Sequence, residues 1–126
     1  MYFVLRTDAS NTGIGAVLLQ QKEGELHPII YASKKLSETE KNYSVAEKEY
    51  LAVVWAVRKF EPYLYGVHFT LETDHQALQY LNKSKTENGR LMRWALRLQP
   101  YSFTTKVIPG KDNVGADYLS RIMYSN

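Results

Sequence analysis

The chain of 126 residues contains no cysteine, so it forms no disulfide and offers no thiolate to a metal. That is compatible with an intracellular setting. No apolar run approaches the roughly 20 residues that a membrane-spanning helix needs. The N-terminus carries no secretory signal pattern. Internal repeats, low-complexity tracts and interdomain linkers are absent, so one domain over residues 1–126 with one core is expected. At 44% hydrophobic residues, a disordered chain is excluded. Acidic residues are scarce in the last third. Residues 83–126 hold eight Lys/Arg against three Asp/Glu, whereas residues 1–82 hold eight against ten. A basic C-terminal third suggests a polyanionic partner, with a solvated basic face as the alternative.

What is present is organised around Tyr2-Phe3-Val4-Leu5-Arg6-Thr7-Asp8-Ala9-Ser10. A run of β-forming residues climbs to an aspartate and breaks into the polar turn Ser10-Asn11-Thr12-Gly13, as a central strand delivering a carboxylate to a sheet edge would. An Asx turn, with the carboxylate bonded to its own backbone, is the competing explanation for Asp8. A second strand, residues 67–73, ends the same way in Asp74, which could equally cap a short helix over 75–81.

Strands are expected over 2–7, 13–21 and 26–32, an antiparallel meander with a turn at Lys22-Glu23-Gly24-Glu25. Pro28 points to an edge position for the third. Residues 33–42 read as a polar connection. A long helix over 45–60 opens with the capping box Ser44…Glu47 and buries Ala46, Tyr50, Val53, Val57 and Phe60. At about 100° per residue, Glu49 falls inside that apolar arc while Glu47 lies at its edge. A glutamate on a buried face needs a partner or a metal, so Glu49 is assigned to a site and Glu47 to the cap. After strand four come the short helix, a polar loop with Lys83 and Lys85, and a helix over 89–99. In this last helix Leu91, Trp94, Ala95 and Leu98 lie inward, while Arg90, Arg93 and Arg97 form a stripe suited to a phosphate backbone or simply solvated. A fifth strand over 101–108 and a helix over 114–121 bearing Asp117 complete the order β-β-β-α-β-α-α-β-α. The expected fold class is α/β: a five-stranded mixed sheet, three antiparallel strands then two parallel, flanked by helices.

Four segments in order resemble the ribonuclease H domain of gypsy-type LTR retrotransposon reverse transcriptases. They are Thr7-Asp8-Ala9-Ser10…Gly13-Ile14-Gly15; Asn42-Tyr43-Ser44…Glu47-Lys48-Glu49…Leu51-Ala52; Thr73-Asp74-His75-Gln76-Ala77-Leu78; and Pro109-Gly110-Lys111…Ala116-Asp117…Leu119-Ser120-Arg121. The resemblance covers nearly the whole chain. It implies a ribonuclease H-like fold and makes Asp8, Glu49, Asp74 and Asp117 the catalytic, metal-binding carboxylates, in agreement with the facing argument for Glu49. The Met1 start suits a domain cut from a longer polyprotein or a host gene derived from one. One departure from the cellular and retroviral enzymes is the loop Pro109-Gly110-Lys111-Asp112-Asn113, which has no histidine. No basic insertion of the kind some cellular enzymes use to grip the hybrid follows Leu81.

The implied activity is endonucleolytic hydrolysis of the RNA strand of RNA/DNA hybrids by two Mg²⁺ ions, with Mn²⁺ able to substitute, leaving 5′-phosphate and 3′-hydroxyl ends. By analogy Asp8 bridges both ions, Glu49 and Asp74 hold one and Asp117 the other. Ser10, Asn11 and Gln76 are candidates for contacts to the hybrid, including 2′-OH groups across its minor groove. The implied partners are the hybrid and the polymerase domain of a parent reverse transcriptase. The implied location is the cytoplasm, in a virus-like particle, or the nucleus. The alternative is a catalytically retired module used for docking. A transposase-like DNA nuclease fits less well, because the Thr-Asp-His and Leu-Ser-Arg motifs are foreign to it.

Overall fold

The computed structural model describes residues 2–81 and 88–108. The expected helix over 114–121 with Asp117, the loop at 109–113, and Lys83 and Lys85 lie outside the described residues.

Among the described residues one sheet contains β1 (Tyr2–Ala9), β2 (Gly13–Lys22), β3 (Glu25–Lys35), β4 (His68–Thr73) and β5 (Ser102–Val107). Their spatial order is β3-β2-β1-β4-β5. β1 and β2 pair antiparallel, as do β2 and β3, while β1–β4 and β4–β5 are parallel. The expected mixed sheet is therefore present. The β2–β3 hairpin turns at Glu23 and Gly24, whose φ values of 55° and 81° are the left-handed pair that matches the twist of the strands. Glu23 is the residue that bears a Cβ there, and it accepts the cost of αL.

β3 occupies an edge, as Pro28 requires, and its pairing with β2 slips between Leu18 and Leu19. It also runs past the expected end at residue 32. Ser33, Lys34 and Lys35 have weak strand propensity, but they find Gly15, Ile14 and Gly13 opposite, and the ladder bonds outweigh the propensity. The polar connection that follows contains a 3₁₀ turn at Glu40–Asn42.

The helices are α1 (Val45–Lys59), α2 (Glu61–Leu64), α3 (His75–Leu81) and α4 (Gly89–Leu98). The capping box at Ser44 is formed in both directions: Glu47 N–H donates to Ser44 Oγ at 3.1 Å, and Ser44 N–H to Glu47 Oε1 at 2.9 Å. α1 packs against β1, β2, α3 and α4. Its side chains Tyr50, Val53, Val54, Val57 and Ala56 join Leu5, Ile14, Leu18, Phe69 and Leu71 in the main core. A helix sheathed on this many sides buries more than one stripe. Lys48 and Glu49 are buried with it, and those two charges need an explanation.

Candidate active site

β1 and β4 run side by side in parallel, with Arg6 opposite Glu72. One step on, the Thr7 hydroxyl donates to Thr73 Oγ1 at 3.1 Å, both side chains fully buried. The bond fixes the relative position of the two strand ends, and the next residues are Asp8 and Asp74. Two carboxylates thus leave the sheet at the same edge.

Asp8 is 7% exposed. Asp74 is half-buried and accepts the Gln76 N–H at Oδ1, 2.9 Å away, so it does cap α3 as the cautious alternative proposed. His75 Nδ1 stands 3.3 Å from the same oxygen. Capping one oxygen does not use up a carboxylate, which has a second.

Glu49 arrives from α1. It is 5% exposed, and its Oε2 has no hydrogen-bond partner among the described residues. Burial first, then the charges of Asp8 and Asp74, push its carboxyl up to about 9, against the downward pull of the Ala9 N–H. The three acids therefore share one electrostatic neighbourhood, although among the described residues no three such groups converge tightly enough to enclose an ion. Carboxylate oxygens are the donor chemistry of hard cations such as Mg²⁺ and Mn²⁺. An orphaned buried oxygen beside two more acids fits such an ion. Asp8, Glu49 and Asp74 could hold it.

The loop after Asp8 is tightly built. Ser10 Oγ receives Gly13 N–H at 3.1 Å and Thr12 N–H at 3.3 Å, and Ser10 N–H donates to the Gly13 carbonyl at 2.8 Å. Ser10 and Asn11 are exposed at its tip, and Gln76 is half-buried at the start of α3. Lys48, not among the residues expected at the site, is 7% exposed and donates to the Asn11 carbonyl at 3.3 Å. It ties this loop to α1.

The arginine stripe divides. Arg93 and Arg97 are exposed. Arg90 is half-buried, forms an ion pair with Glu47, and lies 4.1 Å from the Tyr43 ring centroid and 5.6 Å from that of Trp94. Burial works to raise the Glu47 carboxyl, but the Ser44 N–H and Arg90 outweigh it and hold the group below its ordinary value. Glu47 is thus cap and counter-ion together.

A sheet ordered 3-2-1-4-5 with three acids at one edge and a long helix across it is the ribonuclease H fold. Solved structures agree. RNase H1 from the halophilic archaeon Halobacterium salinarum superposes with a TM-score of 0.71 over 96% of each chain at 18% identity. A foamy viral protease-reverse transcriptase in complex with RNA/DNA hybrid gives 0.62 over 90% of this chain and 16% of that one, at 23% identity. Residues 1–101 match the family described as the RNase H-like domain found in reverse transcriptase, and the chain belongs to that family. It is 48% identical over 120 residues to the retrovirus-related Pol polyprotein from transposon 297 of Drosophila melanogaster, and spans 11% of that protein's length. The resemblance to retrotransposon reverse transcriptases is thereby borne out. Among the described residues no helix is long and apolar enough to cross a membrane.

Proposed function

We propose that this domain hydrolyses the RNA strand of RNA/DNA hybrids, with divalent cations held by Asp8, Glu49, Asp74 and Asp117. The observation that carries the reading is Glu49: a buried carboxyl with an orphaned oxygen, set against two further acids at a strand edge. Such an arrangement is unfavourable by itself and becomes favourable when cations neutralise it. The retrotransposon polyprotein relatives and the ribonuclease H fold support the same conclusion.

Two Mg²⁺ ions, when bound, polarise the scissile phosphate and lower the pKa of the attacking water. The chain's own contributions are these. Asp8 would serve both cations, Glu49 and Asp74 one of them, and Asp117 the other. Glu49 would release its proton when a cation is bound beside it. The Gln76 N–H orients Asp74, and Thr7 and Thr73 keep the two aspartates in register. Lys48 and Ser10 hold the loop that presents Asn11, and Asn11 and Gln76 meet the 2′-OH groups that distinguish RNA from DNA. Arg93 and Arg97, with Arg90 anchored behind them, meet phosphates. Water oxygen joins phosphorus as the bond to the 3′-oxygen breaks, giving 5′-phosphate and 3′-hydroxyl ends.

The chain spans about a tenth of its polyprotein relative, so the polymerase domain of a parent reverse transcriptase is the proposed partner. A tether of that kind raises the effective concentration of hybrid at the site with no new contact. The working place would be the cytoplasm, within a virus-like particle, or the nucleus. The test compares a labelled RNA/DNA hybrid with duplex DNA in Mg²⁺ and in EDTA. RNA-strand cleavage of the hybrid alone, dependent on Mg²⁺, is expected. Equal cleavage of duplex DNA, activity in EDTA, or no cleavage by a folded domain that binds the hybrid would refute it.

A further inference from the structure

Outside the carboxylate edge, a groove of about 550 Å³ runs between α1 and α4 toward the end of β3. None of Asp8, Glu49 and Asp74 lines it. Six cations do: Lys34, Arg58, Lys59, Arg90, Arg93 and Arg97, against one carboxylate, Glu40. Glu40 is already engaged, 3.5 Å from Lys34 Nζ and accepting the Ser37 N–H at 2.8 Å. Arg90 is engaged by Glu47. Arg58, Lys59, Arg93 and Arg97 are exposed and have no carboxylate partner among the described residues. Like charges gathered in a concavity repel one another and focus the field on an incoming anion.

Charge alone would describe a solvated face. The aromatic rings argue for more. Trp55, half-buried with its inner edge on the core, lies in the groove among these cations, and Tyr43 lies under Arg90. A duplex offers phosphates but keeps its bases stacked inside. An acidic protein segment offers charge that needs no ring. Interleaved arginines and aromatic faces suit a strand that presents phosphates and unpaired bases together.

We infer that the α1–α4 groove holds single-stranded nucleic acid, with phosphates on Arg58 and Lys59 and an unpaired base on Trp55. The inference rests on the reading of the domain as one that acts on nucleic acid. α1 is about 22 Å long at 1.5 Å per residue and carries both Glu49 and Arg58. The two are nine residues apart, about 13 Å along the axis and half a turn round it, so the groove lies on a different face of α1 from the proposed cut.

The test is fluorescence anisotropy of the 126-residue chain in EDTA over a salt series. The probes are an oligouridylate of about 12 nucleotides, within the span such grooves cover, an abasic strand with the same phosphates, and a blunt hybrid. The doubly substituted R58E/K59E chain should bind the oligouridylate about tenfold or more weakly, and its log–log salt slope should flatten by about 1.4, at 0.7 per lost contact. W55A should weaken the oligouridylate but not the abasic strand. Both variants should keep their circular dichroism, and R58E/K59E should still cleave the blunt hybrid in Mg²⁺. Unchanged affinity and slope in R58E/K59E would overturn the inference. So would equal binding of abasic and base-bearing strands by the wild type, an equal loss for the hybrid, which would make the groove a duplex contact, or displacement by polyglutamate at lower concentration than by oligouridylate, which would make it a protein contact. A wild-type chain that binds single strands through the groove but cleaves no hybrid would refute the proposed activity and leave this inference standing.

Discussion

Replacing Glu49 by Gln keeps the shape of the side chain and removes its proton equilibrium. In the folded chain burial, with Asp8 and Asp74 behind it, raises this carboxyl from 4.5 to about 9. The unfolded chain releases the proton near the lower value and the folded chain near the higher. Between them the folded state binds more protons, so stability contributed here is complete at acid pH and falls as pH rises. One proton gives a slope of about 1.4 kcal/mol per pH unit. From about pH 5 to about pH 8 the fall is then roughly 4 kcal/mol at most, and roughly 2–4 kcal/mol once some water reaches the site. Urea unfolding in EDTA reads it directly. Parent and E49Q should be nearly equally stable at the acid end, and E49Q should be the more stable by that amount at the alkaline end. Added Mg²⁺ should stabilise the parent by mass action and E49Q far less. The stabilised variant should also lose hybrid cleavage, a trade of function against stability. Parallel pH dependences, with equal gains from Mg²⁺, would refute the placement of Glu49 in a cation site.

Three further outcomes are expected. Asp8→Asn and Asp74→Asn should abolish hybrid cleavage with the melting transition retained, because asparagine caps α3 as well as aspartate does; near-parental turnover in either would sink their assignment. A double-mutant cycle on Glu47→Gln and Arg90→Ala, read by urea unfolding, should give a coupling of about 1 kcal/mol, since the pair is partly exposed (side chains 15% and 30%); zero coupling would mean the contact is incidental. Arg93→Ala with Arg97→Ala should flatten the salt dependence of hybrid binding by about 1.8, at 0.9 per phosphate contact, and raise the hybrid concentration needed while sparing turnover at saturation; an unchanged slope would return the stripe to solvent.

What the sequence made legible is what each element says about itself. Glu49 could be separated from Glu47 because both sit on one helix and 100° per residue decides which faces inward. The Glu23-Gly24 turn and the edge position of β3 were readable from glycine and proline chemistry. What stayed hidden lies between elements. Arg90 matched Arg93 and Arg97 in spacing, but Glu47, 43 residues earlier, removes it from the exposed stripe. No local pattern points to the partner of Lys48, a backbone carbonyl 37 residues away. The α1–α4 groove gathers Lys34, Arg58 and Arg93 from three segments, and no local pattern links them. Of the four predicted carboxylates the structure brings three into one electrostatic neighbourhood, and Asp117 lies outside the described residues.

The ends of β1 and β4 bear on the role proposed for the acids. Side chains on one face of a strand repeat every second residue, so Arg6 and Asp8 share a face of β1, and Asp74 follows directly on the last residue of β4. At the first position the parallel ladder sets a base opposite an acid, and Arg6 and Glu72 pair. Two residues further along, Asp8 in β1 and Asp74 just past β4 stand where an oppositely charged pair could equally have stood. The sequence places acid beside acid instead and brings a third from α1, with burial that leaves Glu49 protonated at neutral pH. Stability alone would favour the first arrangement twice, because like charges held near one another repel. Acid paired with base at one step and acid set near acid at the next suit the cation site proposed above.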